Sequence, residues 1–378
     1  NHRPLEKKKA ESAGKKETSL QEKQWENPEA GVSLGGKKAG AETGLECSVT
    51  LSQRLPISGK KGVSAEIAKL EEREARIALE EAKLALRYEI TRLAYAYARD
   101  MEKIKHVQER LKRIKLISAH MQGHLLVAPQ RIVERNIVRE KLARMEKELL
   151  EIRKSVTVSY NALNHYLKLP ARPSFTVDLS WFTRAPDMDY DGLLSMAMKD
   201  NFTIRYHEGA AARAEKAVSL AKRDVMPDIG LDVYYGADTL KEKEQTFGGG
   251  ITLPLPILSQ NRHGIGKEAS NLKSRRIALL HARETVRNKM AELYAEYKYA
   301  GGMVALFPVS RLDDLEKKMD YADDEFRKGR VTLASYLEMD YTLHESVESV
   351  FESQLLLVGA YTELLFMAAV RKEINGGR

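Results

Sequence analysis

Side chains able to do chemistry are common in this sequence, but few stand at spacings that would assemble a reaction. Of the nine histidines, His106, His120 and His124 gather along one stretch, with Met121 beside them. Imidazole and thioether donors suit copper- and zinc-type cations, so a ring could form where several chains met. The simpler reading, favoured by the spacing, is a set of histidines on an exposed helix surface without fixed geometry. Cys47 is the single cysteine, which rules out an internal disulfide framework and any cysteine-rich metal site. It stands in phase with Leu45, Val49 and Leu51 and reads as an apolar strand position. There is no Walker loop, no His-Glu-x-x-His and no Cys-x-x-Cys. Gly248, Gly249 and Gly250 lie inside an alternating pattern rather than between strand and helix, where a phosphate loop would sit. These observations predict no enzyme: no catalytic residue, no cofactor and no resident metal.

At 378 residues, 43% hydrophobic and 31% charged, the chain can hold two or three ordinary domains with a sizeable core. The net charge of +8 does not point to nucleic acid, because Lys and Arg are interleaved with Glu, as in EEREARIALEEAK (71–83) and REKLARMEKELLEIRK (139–154). Such stretches read as solvated helix surfaces. No apolar run reaches the ~18 residues of a membrane-spanning helix; LLLVGAYTELLFMAAV contains Glu363 in an amphipathic pattern. The first residues, NHRPLEKKKAESAGKKE, carry charge without a following apolar region, so no secretory signal is expected in them.

The elements that must position any site repeat once along the chain. In the first copy Asn27-Pro28 opens a short alternating stretch (Ala30, Val32, Leu34), and after a Gly-rich turn a second runs through Leu45, Cys47, Val49, Leu51, Leu55 and Ile57. In the second, Met226-Pro227 opens Ile229, Leu231, Val233 and Tyr235, followed by Ile251, Leu253, Leu255 and Ile257. Leu55-Pro56-Ile57 matches Leu255-Pro256-Ile257. Pro254 and Pro256 share one parity and cannot donate to a ladder, so they mark where strand gives way to helix.

Each hairpin leads into a long run without strong breakers. From Val63 to Gln122 there is neither Gly nor Pro, which as one helix would span about 90 Å. Within it Ile90, Leu93, Tyr97, Met101, Ile104, Val107, Leu111 and Ile114 recur at spacings of three and four, a coiled-coil seam. Gly123 breaks the run and a second one, Gln130 to Leu169, leads back. The second copy has the same plan, with GGMVALFP at 301–308 interrupting its outgoing arm. Strands of about ten alternating residues fit a tilted crossing of a bilayer, and they also fit a soluble sandwich. Alone they would leave unpaired edges and a bare apolar face, so they need partners from other chains.

The paired NP and MPDIGLDVYYG openings, the FGGGITLPLPILSQNRHGIGKEA handover and the closing YADDEFRKGRVTLASYLEMDYTLHESVESV stretch together resemble the outer-membrane efflux protein family, the TolC-like exit ducts. The turn LSQRLPISGKK is most similar to the outer-membrane components of heavy-metal exporters, of the CzcC and CusC kind. The resemblance implies an α+β membrane protein: a homotrimer with one twelve-stranded barrel in outer-membrane lipid and a periplasmic α-helical barrel. On it the chain divides into the end of a preceding helix (1–26), a barrel hairpin (27–58), a periplasmic helical hairpin (59–170), a linker with equatorial helices (171–226), a second barrel hairpin (227–258) and a second helical hairpin (259–376).

The implied function is passive export of heavy-metal cations or drugs, with a periplasmic adaptor and an inner-membrane pump such as an RND transporter as partners, and no nucleic acid. By position, the family's acidic constriction falls on Ser335, where it is not matched, and on Glu338, with Asp340 as a helper. Three like charges at a narrowing would favour cations and repel anions. The implied adaptor-docking tips are Gly123 and His124 in the first copy and Gly329, Arg330, Val331 and Thr332 in the second. Two alternatives stand beside this reading: a duct for type I protein secretion, and a soluble coiled-coil scaffold or adaptor.

Overall fold

The structure is a computed structural model and describes residues 3–39, 42–122, 129–168, 183–239, 244–257 and 259–371. In chain order its elements are α1 (Arg3–Gln21), β1 (Glu29–Ala39), β2 (Glu42–Leu55), α2 (Lys60–Gln122), α3 (Pro129–Leu167), α4 (Tyr190–Asp200), α5 (Phe202–Arg223), β3 (Ile229–Asp238), β4 (Gln245–Thr252), α6 (Arg262–Leu306), α7 (Arg311–Arg327) and α8 (Leu333–Met367). They belong to two compact units, one of residues 4–80 and 202–284 and the other mainly of 81–201 and 285–378.

The first unit carries the sheet. Its four strands are all antiparallel in the order β1-β2-β3-β4, so the hairpins of the two repeats lie side by side. β2 stops at Leu55, immediately before Pro56, and β4 stops at Thr252, two residues before Pro254. The alternation in the second copy continues to Ile257, but two missing N–H groups end the ladder earlier.

Both handovers from strand to helix use one residue of positive φ directly before the helix: Gly59 (φ 68°) before α2 and Asn261 (φ 49°) before α6. Gly and Asn tolerate this left-handed conformation better than other residues. Each handover is tied to the end of α5, by Arg223 Nη1 donating to the Ser58 carbonyl (3.0 Å) and by Asn261 Nδ2 donating to the Ala221 carbonyl (2.9 Å). Charges link α1, α2, α5 and α6: Lys15–Glu71 at 2.6 Å, Arg213–Glu74 at 3.3 Å and Arg283–Glu208 at 2.8 Å.

The second unit is helical. The seam read from the sequence faces inward: Tyr97 is buried, and Val107, Leu111 and Ile114 are buried in a cluster with Val138, Met145 and Leu149 of α3. Leu315 and Met319 of α7 and Tyr336, Leu343, Val347 and Phe351 of α8 complete the cluster. α8 is long and apolar enough to cross a bilayer by composition, but half of its most apolar stretch is buried within the protein.

The interruption expected at 301–308 falls at the end of that stretch. Gly301 and Gly302 stay helical within α6, which ends at Leu306, before Pro308. A Cβ at Gly301 would stand 2.9 Å from that of Ala185. This glycine lets α6 approach the 183–189 segment, where Tyr294 Oη donates to the Met188 carbonyl at 3.0 Å.

Candidate functional site

The sheet has two chemically different faces. Across the strands, Ala30, Leu51 and Val233 share one row, Val32, Val49, Tyr235 and Phe247 a second, and Leu34, Cys47 and Ala237 a third. This face is apolar and uncovered within the chain, with Val32 70%, Leu34 80%, Phe247 79% and Ile251 75% exposed. An isolated soluble protein rarely leaves so continuous an apolar surface in water.

The opposite face carries the rows Ser33, Ser48, Gly236 and Thr246, then Gly31, Thr50, Tyr234 and Gly248, then Glu29, Ser52, Asp232 and Gly250. Ser33 and Ser48 hydroxyls meet at 2.7 Å and Lys37 pairs with Asp238 at 2.6 Å. The three glycines 248–250 are strand residues; a Cβ at Gly248 would meet the Tyr234 ring at 2.5 Å, so the glycine makes room for the aromatic ring across the ladder. Among the described residues, β1 pairs only with β2 and β4 only with β3, leaving both edges open.

The turn between α7 and α8 holds most of the other predicted residues. Gly329 has φ 70°, its N–H bonds the Phe326 carbonyl (2.9 Å), and the Arg330 N–H bonds the Glu325 carbonyl (3.0 Å). This is a Schellman closure, which requires the left-handed residue. Thr332 caps α8, accepting from the Ser335 N–H at 3.2 Å, and its hydroxyl lies 2.9 Å from that of Ser335. Arg330 reaches back to Glu325 at 3.3 Å. Glu338 stands exposed one turn further along, on the same face as Ser335 and Thr342. Gly123 and His124 lie outside the described residues.

Asp340 is placed differently from the helper role expected for it. It is 2% exposed, accepts a bidentate pair from Arg110 of α2 (2.8 and 2.7 Å) and lies 3.2 Å from Lys141 of α3. Burial alone would raise its carboxyl, but the Arg110 and Lys141 contacts outweigh that and hold it below the ordinary carboxylate range. A carboxylate committed in this way ties three helices together and offers no free charge to a passing ion.

Within one chain the histidines of the first copy lie apart, and His124 is outside the described residues. His106 and His120 are fourteen residues apart on one helix, about 21 Å along its axis, and Met121 is buried in the core. His106 instead meets His344 of α8, Nε2 to Nδ1 at 3.3 Å, with ring planes 3° apart. His344 Nε2 lies 3.3 Å from Glu148 of α3. Burial, then the neighbouring His344 and the Arg110 and Arg113 cations, push the His106 imidazole down to about 4, so it is neutral at pH 7.

The sequence holds a signal for these missed partners. Arg110 falls in phase with Val107 and Ile114, and Asp340 and His344 with Tyr336, Leu343 and Val347, so polar groups occupy positions of an apolar seam. Polar groups buried there must find partners.

Solved structures share this fold. CusC, whose crystal structures concern folding and transmembrane channel formation, aligns at a TM-score of 0.75 and 14% identity over 96% of this chain and 89% of its own. The CmeC outer membrane channel of Campylobacter jejuni aligns at 0.72 and 13% over 97% and 83%. The outer membrane protein VceC of Vibrio cholerae aligns at 0.70 and 15% over 98% and 92%. No protein-family model and no curated protein matches the sequence. The shared fold agrees with the resemblance carried by the strand openings and the strand-to-helix handover.

Proposed function

We propose that this chain is one third of a passive exit duct in the outer membrane, the outermost part of a tripartite efflux system. The observation that carries the reading is the sheet, with one exposed apolar face, one polar face and two open edges. In a homotrimer β4 of each copy pairs with β1 of the next, which closes twelve strands and removes every edge. Strands of 8 to 14 residues suit the ~9–11 needed for a tilted crossing, with the apolar face toward lipid and the polar face toward the lumen.

The helical hairpins then form the periplasmic tunnel, and the protein catalyses nothing. The α7–α8 turn, through Gly329, Arg330, Val331 and Thr332, meets a periplasmic adaptor, as do Gly123 and His124 of the first copy. Glu338, with Ser335 one turn before it, lines the narrow end; three copies of Glu338 select cations. An inner-membrane pump supplies the energy and heavy-metal cations or drugs are the cargo.

Two measurements on detergent-purified protein test this together: oligomer mass, and conductance in a planar lipid bilayer. A trimer with small cation-selective steps that grow in Glu338→Ala supports the duct. A monomer soluble without detergent and giving no conductance overturns it and leaves a coiled-coil scaffold.

A further inference from the structure

His344 and Glu348 stand four residues apart on α8, so their side chains leave the same face of the helix. Glu148 faces them from α3, and the donor atoms of the three groups all lie within 4.8 Å of one another. His344 Nε2 and Glu148 Oε1 are 3.3 Å apart. A tetrahedral ion with bonds of about 2.1 Å sets neighbouring donors about 3.4 Å apart, so this edge already has ligand spacing. Rotation of the Glu348 side chain, by about 1.4 Å at most, completes the set.

Glu348 has a reason to accept an ion. Its Oε1 is buried with no hydrogen-bond partner among the described residues, while Lys103 holds the other oxygen. An anionic oxygen left in that state is costly, and a cation relieves the cost. Glu148 Oε2 faces the distant Arg110, at 3.8 Å.

We infer that His344, Glu148 and Glu348 bind a divalent first-row transition cation of the zinc type, with His106 orienting the His344 imidazole. With the ion on Nε2, His344 carries its proton on Nδ1 and donates it to His106 Nε2, 3.3 Å away. Metal-ligating imidazoles are held by such outer partners. The bound ion pins α8 to α3. All four residues belong to the helical unit, so the ion binds whether or not the sheet forms a duct.

The test is Zn2+ binding by the purified, chelator-treated full chain at neutral pH, followed by calorimetry, with Co2+ absorption reporting coordination. The expected result is one tight ion per chain and a cobalt spectrum of low coordination number. His344→Ala and Glu348→Gln should abolish it, and His106→Gln should weaken it by about 10- to 100-fold. Lys103→Gln should tighten it, because it removes the competing cation from Glu348; this variant leaves the ligands intact and covers the case in which His344→Ala fails to fold. Absence of stoichiometric binding, or binding unchanged in Glu348→Gln and Lys103→Gln, would overturn the site and mark any residual uptake as adventitious.

Discussion

Asp340 shows how much one residue decides. Its carboxylate is bound by Arg110 and Lys141 from two other helices, and removing one partner of a buried pair costs about 3–5 kcal/mol because the other charge is stranded. Asp340→Ala is therefore expected to lower stability by about that amount in denaturant or thermal unfolding. Its folded pKa lies below its ordinary value of 3.8, so the contribution is present above that pH and is lost as pH falls through the lower folded value. The gap between wild type and Asp340→Asn should accordingly close in acid; a gap constant from pH 7 down to pH 3 would refute the ionic account. Gly329 is a second such residue: with φ 70°, Gly329→Ala should cost about 1–2 kcal/mol of left-handed strain and fray the turn without unfolding the helices.

At the scale of elements, the paired glycines of α6 are chemically alike and structurally opposite. A Cβ at Gly301 would collide with Ala185, whereas one at Gly302 meets nothing within 4 Å. Gly302→Ala should stabilise the helix by about 0.5–1 kcal/mol. Gly301→Ala should forfeit that gain and loosen the 183–189 segment, which hydrogen exchange of its amides would report; equal stabilisation by both variants would sink the packing explanation. The interruption expected over 301–308 falls at its proline end, since α6 runs through the glycine pair and ends before Pro308. A glycine costs a helix about 1 kcal/mol, which packing offsets, whereas proline removes a donor and clashes with the preceding turn.

At the scale of the whole molecule, the duct reading rests on the sheet's need for lipid and for neighbouring copies. Two adjacent residues of β2 separate the faces: Val49 lies on the apolar one and Ser48 on the polar one. Val49→Arg should cost about 2–4 kcal/mol near the bilayer midplane and reduce trimer recovered from membranes. Ser48→Arg should leave the trimer intact and alter ion selectivity in bilayer recordings. Similar effects from both would mean that neither face meets lipid and would favour the soluble scaffold.

Much of the architecture was legible in the sequence, because it is written in short-range periodicity. Alternation at Val32, Leu34, Val49 and Leu51 marks strands, spacings of three and four from Ile90 to Ile114 mark a helix seam, and the double occurrence of Leu-Pro-Ile marks the repeat. Pairings between distant segments were not legible. That Arg110 finds Asp340, that His344 finds His106 and Glu148, and that Gly301 admits Ala185 depend on which faces of α2, α3, α6 and α8 come together. A sequence pattern fixes the face on which a side chain lies, whereas its partner is chosen by the register between helices, a property of packing that no local stretch encodes.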